Sequence, residues 1–272
     1  MGVFMGVNTI KEQDIERLLW IESIAWRNGI QFKEDHFRSQ LNIFPEGQLC
    51  FEDDEGKIWG FVNLMKIRFD PRTPLARSWN EITADGYITS HDPQGNWLFG
   101  ANLSVHPDGY FSRAAEALLV DAAKICGYQH LKGIVFGGRM PGYARWLRDQ
   151  QSMGRILDGS DIEVARSYAE LRIQGDDGRT RRLDPQLELY ENFGVNILGP
   201  TPNFIPDEKS LDFGVVMTWS NVLYYPFYLC PSHRAWKKII FGPAGRLIER
   251  AYLGAVDTLQ GLRRKTPAPE HE

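Results

Sequence analysis

Cysteine is scarce in this chain of 272 residues, which has only Cys50, Cys126 and Cys230. They are far apart and odd in number, so they indicate neither a disulfide framework nor a zinc site. We therefore expect buried free thiols and a reducing, cytoplasmic setting. The chain begins without the basic flank and apolar run of a secretory signal, and no stretch reaches membrane-spanning length.

Common cofactor and catalytic motifs are also missing. The chain has no Walker-type lysine loop, no dinucleotide glycine fingerprint, no nucleophile elbow, and no His-Glu-x-x-His or Cys-x-x-Cys pair. The histidines are scattered without metal-ligand spacing, so we expect no metal. A net charge of −4 gives no general attraction for nucleic acid, and we expect no such partner.

The charge is unevenly distributed along the chain. From Ser220 onward Lys and Arg outnumber the acidic residues, whereas the part before it is acidic. An apolar stripe at helical spacing over 244–259 predicts a helix in this basic region. We therefore predict a domain over 1–220 and a C-terminal basic helical extension over 221–272. The extension has three open roles: packing on the domain, forming a homodimer, or contacting a membrane surface or an acidic carrier protein.

Hydrophobic patterning predicts an α/β (α+β) fold, in which a central mixed sheet is flanked by helices. Strands are expected at 3–7, 48–52, 57–65, 97–105, 131–136, 195–198 and 213–219, and helices at 10–26, 33–41, 112–126 and 187–193. The segments 67–96 and 144–184 are expected to be insertions, with a short helix near 79–84. Glu22 interrupts the apolar stripe of the first helix.

The most informative segment is 97–126, where a strand passes through a short turn into a helix that opens near Ser112. The first amides of a helix have no internal partners, and the helix dipole adds positive potential, so this layout suits an anion. Val105-His106-Pro107-Asp108 at the turn resembles the coenzyme-A-binding core of the GNAT acyltransferase family. A second segment, 189–195, is similar to a tyrosine-containing helix end of the same family.

The resemblance implies that acetyl-CoA or another acyl-CoA is the co-substrate. Backbone amides near Leu103, Ser104 and Val105 would polarise the thioester carbonyl. The pyrophosphate loop would fall on Tyr110, Phe111, Ser112, Arg113, Ala114 and Ala115. Here the chain departs from the family, because Tyr110 stands where Arg or Gln is usual and Arg113 replaces a glycine. A side chain there obstructs a phosphate or lends it a cation, and both interpretations stay open.

In the family, the tyrosine that matches Tyr190 often protonates the departing thiolate, so Tyr190 is the expected general acid. Related sequences carry a carboxylate at the fourth-strand position of Asn102, and an amide cannot act as a base. The remaining candidates for a base are Glu81, Asp85, His91 and His106. Each of them also has a structural or solvated alternative role.

Four further blocks, at 44–48, 79–82, 91–95 and 137–143, resemble one GNAT subgroup whose members are often fused to carbon–nitrogen hydrolase domains. Substrate contacts are expected at Trp79, His91 and Arg139. Arg139 follows two glycines at the end of a strand, where α/β folds place ligands. Its guanidinium would clamp a carboxylate or phosphate, or form a surface ion pair.

We therefore expect an acyltransferase that moves an acyl group from acyl-CoA, or from an acyl carrier protein, to an amine or related nucleophile of a small-molecule acceptor by direct attack. Two alternatives stay open. The absent strand carboxylate and the basic extension suit a GNAT-like malonyl-thioester decarboxylase or S-acyl loader. The glycine-free loop suits a non-catalytic GNAT scaffold that binds a ligand or partner.

Overall fold

The computed structural model describes residues 6–27, 29–73, 75–107, 111–175, 178–221 and 224. The chain divides into two compact units. The first contains the described residues of Met1–Thr73, Arg77–Phe136 and Ser220–Gly245, and the second those of Pro74–Ala76 and Gly137–Trp219. The helix predicted for the C-terminal extension lies outside the described residues and stays a prediction.

The first unit is a mixed sheet with flanking helices, which confirms the predicted α/β class. Its elements are β1 (Gly6–Thr9), α1 (Ile15–Ala25), α2 (Glu34–Ile43), β2 (Gln48–Glu52), β3 (Ile58–Ile67), α3 (Trp79–Thr83), β4 (Trp97–Val105), α4 (Phe111–Tyr128) and the first part of β5 (Gly133–Arg139). The strand order is β1-β2-β3-β4-β5, with antiparallel neighbours except for the parallel pair β4–β5. Helix α1 packs on β3 and β4.

The first helix begins later than the sequence predicted. Thr9 ends β1 and pairs with Leu49 of β2. Because this pairing holds the backbone of Thr9 in an extended strand, the helix begins further along the chain. The buried face of α1 consists of Ile15, Leu18, Ile21 and Glu22. The charged residue that interrupts the apolar stripe is therefore itself part of the core.

Strand β4 changes its pairing along its length. Its register with β3 shifts at Ala101, which has no residue opposite it, and such a bulge bends a strand locally. The parallel ladder with β5 ends where Gly100 pairs with Phe136, although β4 continues to Val105. In the described ladders of the first unit, the last four residues of β4, 102–105, therefore pair only with β3.

The second unit contains the remaining helices and strands. After the end of β5 it contains α5 (Tyr143–Ser152), α6 (Asp161–Glu170), β6 (Arg172–Gln174), β7 (Thr180–Arg182), α7 (Pro185–Asn192), β8 (Asn196–Thr201) and β9 (Gly214–Ser220). In the sheet order β5 is followed by β9 and then β8, which is antiparallel to β9, whereas β6 and β7 form a separate hairpin. The segment predicted as an insertion over 144–184 thus holds two helices and this hairpin.

The glycines of the block 137–143 leave room for buried aromatic side chains. A β-carbon on Gly137 would overlap the ring of Phe204, and one on Gly142 would overlap the hydroxyl of Tyr168. Both aromatic residues are almost fully buried. The block that the sequence linked to substrate binding therefore also has a packing role.

Gly137→Ala should lower the free energy of unfolding by about 1–3 kcal/mol, because the Phe204 ring must move out of a filled space. Urea unfolding measures this cost. In a Phe204→Leu background the smaller side chain leaves room, so the cost of Gly137→Ala should fall by more than half. An equal cost in both backgrounds would contradict this account of the glycine.

Candidate functional site

Asn102, Ser104 and His106 place three polar side chains along one face at the end of β4. Residues two apart point to the same side of a strand, and all three are buried. Each of them meets a side chain of α1 or of its C-terminal end. The helix therefore covers a polar strip of the sheet where its own apolar pattern is interrupted.

Glu22 of α1 accepts the hydrogen bonds at the centre of this strip. Its Oε2 accepts from Asn102 Nδ2 at 2.9 Å and from Ser104 Oγ at 2.7 Å, and its Oε1 accepts from the backbone N–H of Phe32 at 3.2 Å. Trp26, one turn further along, donates from Nε1 to Ser104 Oγ at 2.8 Å. We call Glu22, Asn102 and Ser104 the Glu22 cluster.

Burial is the largest influence on Glu22 and raises the pKa of its carboxyl above the ordinary value. The three hydrogen bonds act in the opposite direction, because they favour the ionised form. Glu22 was not predicted as a site residue. Its only sequence signal is its position inside the apolar stripe of the first helix.

The structure gives the predicted carboxylate bases other partners. Glu81 is exposed and caps α3, where its Oε2 accepts from the backbone N–H and the hydroxyl of Ser78, both at 2.8 Å. These hydrogen bonds lower the pKa of Glu81. Asp85 accepts from Asn80 Nδ2 at 2.8 Å. Both acids therefore have a local structural role in the segment 67–96.

The two predicted histidines are held by packing and by the backbone. The ring of His106 stacks on Trp20 at a centroid distance of 4.6 Å and an interplanar angle of 8°, and it meets Trp59 edge-on at 5.6 Å. His91 Nδ1 accepts from the backbone N–H of Lys66 at 3.1 Å. Burial lowers the pKa of His91, so burial favours its neutral form.

Trp79, predicted as a substrate contact, is buried and anchors the bulge of β4. Its Nε1 donates to the carbonyl oxygen of Ala101 at 2.8 Å, and its ring stacks on Phe32. Trp79 and Glu22 thus hold Ala101, Asn102 and Ser104 in the part of β4 beyond its ladder with β5.

Near its end, β4 has backbone N–H groups that point away from β3. The N–H of His106 donates to the carbonyl of Trp59 on β3 at 2.8 Å. Because successive N–H groups alternate between the two sides of a strand, those of Leu103 and Val105 face the other side. This is the side on which the ladder with β5 has ended.

Helix α4 begins at Phe111, shortly after β4 ends. Tyr110 and the side chains of Phe111 and Ser112 lie outside the described residues. Arg113 is exposed, whereas the two alanines that follow it are buried. The first turn has no acidic side chain, so no carboxylate of that turn offsets the positive end of the helix dipole.

In the second unit the structure brings Tyr190 of α7 within electrostatic range of Arg139 at the end of β5. Burial raises the pKa of the Tyr190 phenol, while a hydrogen bond with Gln186 and the charge of Arg139 oppose this shift. Arg139 Nη1 also lies 3.8 Å from the carboxylate of Asp207. The phenol therefore keeps its proton at neutral pH, as a general acid requires.

Asp184 fixes the start of the helix that carries the predicted acid. Its Oδ1 accepts from the backbone N–H groups of Gln186 at 3.0 Å and Leu187 at 3.2 Å. Its Oδ2 accepts from the Tyr168 hydroxyl at 2.9 Å and the Gly142 N–H at 3.3 Å. This buried carboxylate thereby connects the starts of α5 and α7 with α6.

Cys50 and Cys126 are buried free thiols, as predicted, and burial raises the pKa of both. Cys230 lies outside the described residues. In the described part of the chain, no three His, Cys, Asp or Glu side chains are grouped so as to hold a metal ion. None of its helices has the length and apolar character needed to cross a membrane.

Two curated proteins of Bacillus subtilis (strain 168) are similar in sequence, while no family model matches. Probable hydrolase YhcX is 30% identical over 223 residues, which is 82% of this chain and 40% of that protein. Uncharacterized N-acetyltransferase YkwB is 27% identical over 224 residues, which is 81% of this chain and 90% of that protein. The chain therefore spans about two fifths of YhcX and nearly all of YkwB.

Solved structures share the fold. The loading GNATL domain of CurA from Lyngbya majuscula has a TM-score of 0.63 at 16% identity, covering 80% of this chain and 98% of that chain. The GphF GNAT-like decarboxylase, solved in complex with isobutyryl-CoA, has a TM-score of 0.60 at 20% identity, covering 79% and 98%.

Glu22→Gln should remove a pH-dependent part of the stability. Because the folded-state pKa of Glu22 is raised, its contribution is present below the unfolded value of about 4.5 and is lost as the pH rises through the folded value. Urea unfolding from about pH 4 to pH 8 should therefore show the wild type losing stability relative to Glu22→Gln. The exposed Glu16→Gln on the same helix is the matched control, and a constant difference would contradict the assignment.

The mixed sheet, the helix that follows β4 and these similarities agree with one another. Kinship with the subgroup fused to carbon–nitrogen hydrolase domains stays a prediction. The chain thus has the fold of these GNAT domains and is similar in sequence to an N-acetyltransferase of Bacillus subtilis.

Proposed function

We propose that this protein transfers an acyl group from acyl-CoA to an amine or related nucleophile of a small acceptor by direct attack. The observation that carries the proposal is the junction of β4 and α4, where the ladder with β5 ends at Gly100 and the helix starts at Phe111. Strand N–H groups on that side suit a thioester oxygen, and helix amides suit a phosphate. The isobutyryl-CoA bound by GphF supports this choice of co-substrate.

In this proposal the acceptor nitrogen attacks the thioester carbonyl carbon while the N–H groups of Leu103 and Val105 stabilise the oxyanion. The carbon–sulfur bond then breaks, and Tyr190 gives its proton to the thiolate, whose ordinary pKa is about 8.5. Solvent takes the proton that the acylated nitrogen loses and returns one to Tyr190. The raised pKa of Tyr190 supports this role, since the phenol stays protonated until the thiolate forms. Arg139 is proposed to bind an anionic group of the substrate in exchange for Asp207.

Exposure of Arg113 supports a diphosphate at the start of α4. Its side chain projects into solvent, where a guanidinium can pair with phosphate oxygens. The glycine that the family usually places here would leave more space but contribute no charge. We therefore propose that Arg113 supplies a cation where the chain lacks the usual loop glycine.

Acetyl-CoA and longer acyl-CoAs should raise the melting temperature, because a ligand that binds only the folded protein stabilises it. Arg113→Ala should weaken this binding by about tenfold, since one charge-assisted phosphate contact is lost. Arg72→Ala removes an exposed arginine from the insertion and should leave binding unchanged. No shift with any acyl-CoA at concentrations far above micromolar would rule out the proposal.

Tyr190→Phe should lower turnover by about a hundredfold while leaving acyl-CoA binding intact, because it removes the proton donor and keeps the ring. Thiol release from acetyl-CoA in the presence of primary amines provides the measurement. Tyr87→Phe alters an exposed tyrosine and is the control. Equal rates in wild type and Tyr190→Phe would exclude Tyr190 as the acid.

A second candidate is malonyl-thioester decarboxylation or S-acyl loading. It is favoured by Asn102, an amide at the strand position where related sequences carry a carboxylate, and by the names of the GphF and CurA domains. Incubation with malonyl-CoA and an acyl carrier protein, followed by mass analysis, distinguishes the two. Loss of carbon dioxide without any transfer to amines would replace the first proposal with this one.

A further inference from the structure

The hydroxyl of Ser104 has two acceptors within reach and one hydrogen to give. Its Oγ lies 2.7 Å from Glu22 Oε2 and 3.1 Å from Asn102 Oδ1. The same oxygen accepts from Trp26 Nε1 at 2.8 Å and still has a second lone pair. The direction of this hydroxyl therefore depends on the protonation of its neighbours.

When Glu22 is ionised, it takes the hydroxyl hydrogen, because the carboxylate is the nearer acceptor and carries charge. Asn102 donates from Nδ2 to the same Oε2 at 2.9 Å, which fixes its amide with Oδ1 as the remaining acceptor. Asn102 is also the most exposed member of the Glu22 cluster, at 7% against 1% for the other two. Its amide oxygen can then accept from another donor.

When Glu22 is protonated, its own hydroxyl needs an acceptor, and Ser104 Oγ is at hydrogen-bond distance. The Ser104 hydrogen then turns to Asn102 Oδ1. One of the two lone pairs of the amide oxygen is then occupied from within the protein, which weakens it as an acceptor for another donor. The two states differ by one proton and by the rotation of one hydroxyl, and they require no backbone movement.

We infer that Glu22 is a positioning residue for Asn102, whose Oδ1 accepts a hydrogen bond from the attacking amine more strongly while Glu22 is ionised, because the Ser104 hydrogen then no longer competes for that oxygen. The inference rests on the proposed acyl transfer and names its acceptor class, an uncharged amine with an N–H to donate. Asn102 directly precedes Leu103, whose N–H is assigned to the thioester oxygen. An amine bound at Asn102 would therefore lie beside the carbon that it attacks.

We call the change between these two hydrogen-bonding states the switch. The group whose ionisation drives it is Glu22 itself. Other ionisable groups on the elements around this face are Arg17 of α1, His36 of α2, Lys66 of β3 and His106 beyond β4. Arg17 and His106 both stack on Trp20, and Lys66 lies near the end of its strand. The influences on Glu22 are its burial and the hydrogen bonds of its own cluster and of Phe32.

The switch can be observed without a substrate. In 15N-labelled protein, the Asn102 side-chain amide and the Trp26 indole N–H should shift together with pH in the wild type. Glu22→Gln should abolish this shared titration, and the exposed Glu16→Gln should keep it. Resonances that ignore pH, or that titrate equally in Glu22→Gln, would overturn the inference.

Turnover tests the recognition of the amine, with acetyl-CoA and glycinamide as probes. The kcat/KM for glycinamide should fall about tenfold more on acidification in the wild type than in Glu22→Gln. The high-pH value of Glu22→Gln should stay within about threefold of wild type, because its amide oxygen can still accept from Asn102. A general base would instead lose about a hundredfold or more in this variant at every pH, and that result would overturn the inference.

Asn102→Ala should raise the KM for glycinamide about tenfold and leave the KM for acetyl-CoA unchanged. An unchanged KM for glycinamide would contradict a contact at Asn102. If acyl-CoA does not bind at all, the proposed function fails, and the amide titration alone then decides the switch. If acetyl-CoA binds but no amine is acylated, the recognition of an amine is overturned while the coenzyme site stands.

Discussion

The carboxylate of Glu22 is the point at which the layers of the first unit are joined. Burying a charge costs several kcal/mol, and the hydrogen bonds from Asn102, Ser104 and Phe32 offset that cost. Any donor left without its acceptor here would cost about 1–3 kcal/mol. The helix, the loop that follows it and the end of β4 are therefore bound into one arrangement. That arrangement matters most for residues 102–105 of β4, because they lie beyond the ladder with β5 and pair with β3.

The second unit uses the same device with a different acid. Asp184 is buried and accepts two backbone N–H groups at the start of α7, the hydroxyl of Tyr168 and the N–H of Gly142. Its donors come from three helical segments, so hydrogen bonds to one side chain hold these segments together. In both units a buried carboxylate thus organises the backbone that carries a residue of the proposed mechanism.

Sequence patterns identified the elements whose signal is local. Strand β4 was predicted with its observed bounds, and β2 as well, because alternation and turn residues mark both ends. The start of α1 was wrong because the competing interaction is pairing of β1 with a strand 40 residues away. The hairpin of β6 and β7 was missed because it is short and largely exposed, which leaves no apolar alternation to detect.

The site was less accessible to prediction than the fold. Glu22 meets Asn102 across 80 positions of sequence, and no spacing rule connects a helix residue with a strand so far along the chain. The histidines and Glu81 are suitable chemical types, but tertiary packing gives the histidines other partners, and Glu81 caps its own helix through Ser78. The roles of Tyr190 and Arg139 come from the family resemblance, and the structure adds their electrostatic surroundings within the second unit.

The bulge at Ala101 decides which side chains of β4 face helix α1. Side chains alternate between the two faces of a sheet. A shift of the register by one residue therefore reverses the face on which each later side chain lies. If the ladder ran on without this shift, Ala101 would lie opposite Asn63, Asn102 and Ser104 would turn away from α1, and Glu22 would have no side-chain donor from β4. The polar character of the sheet surface beneath α1 thus depends on the one-residue shift between β4 and β3.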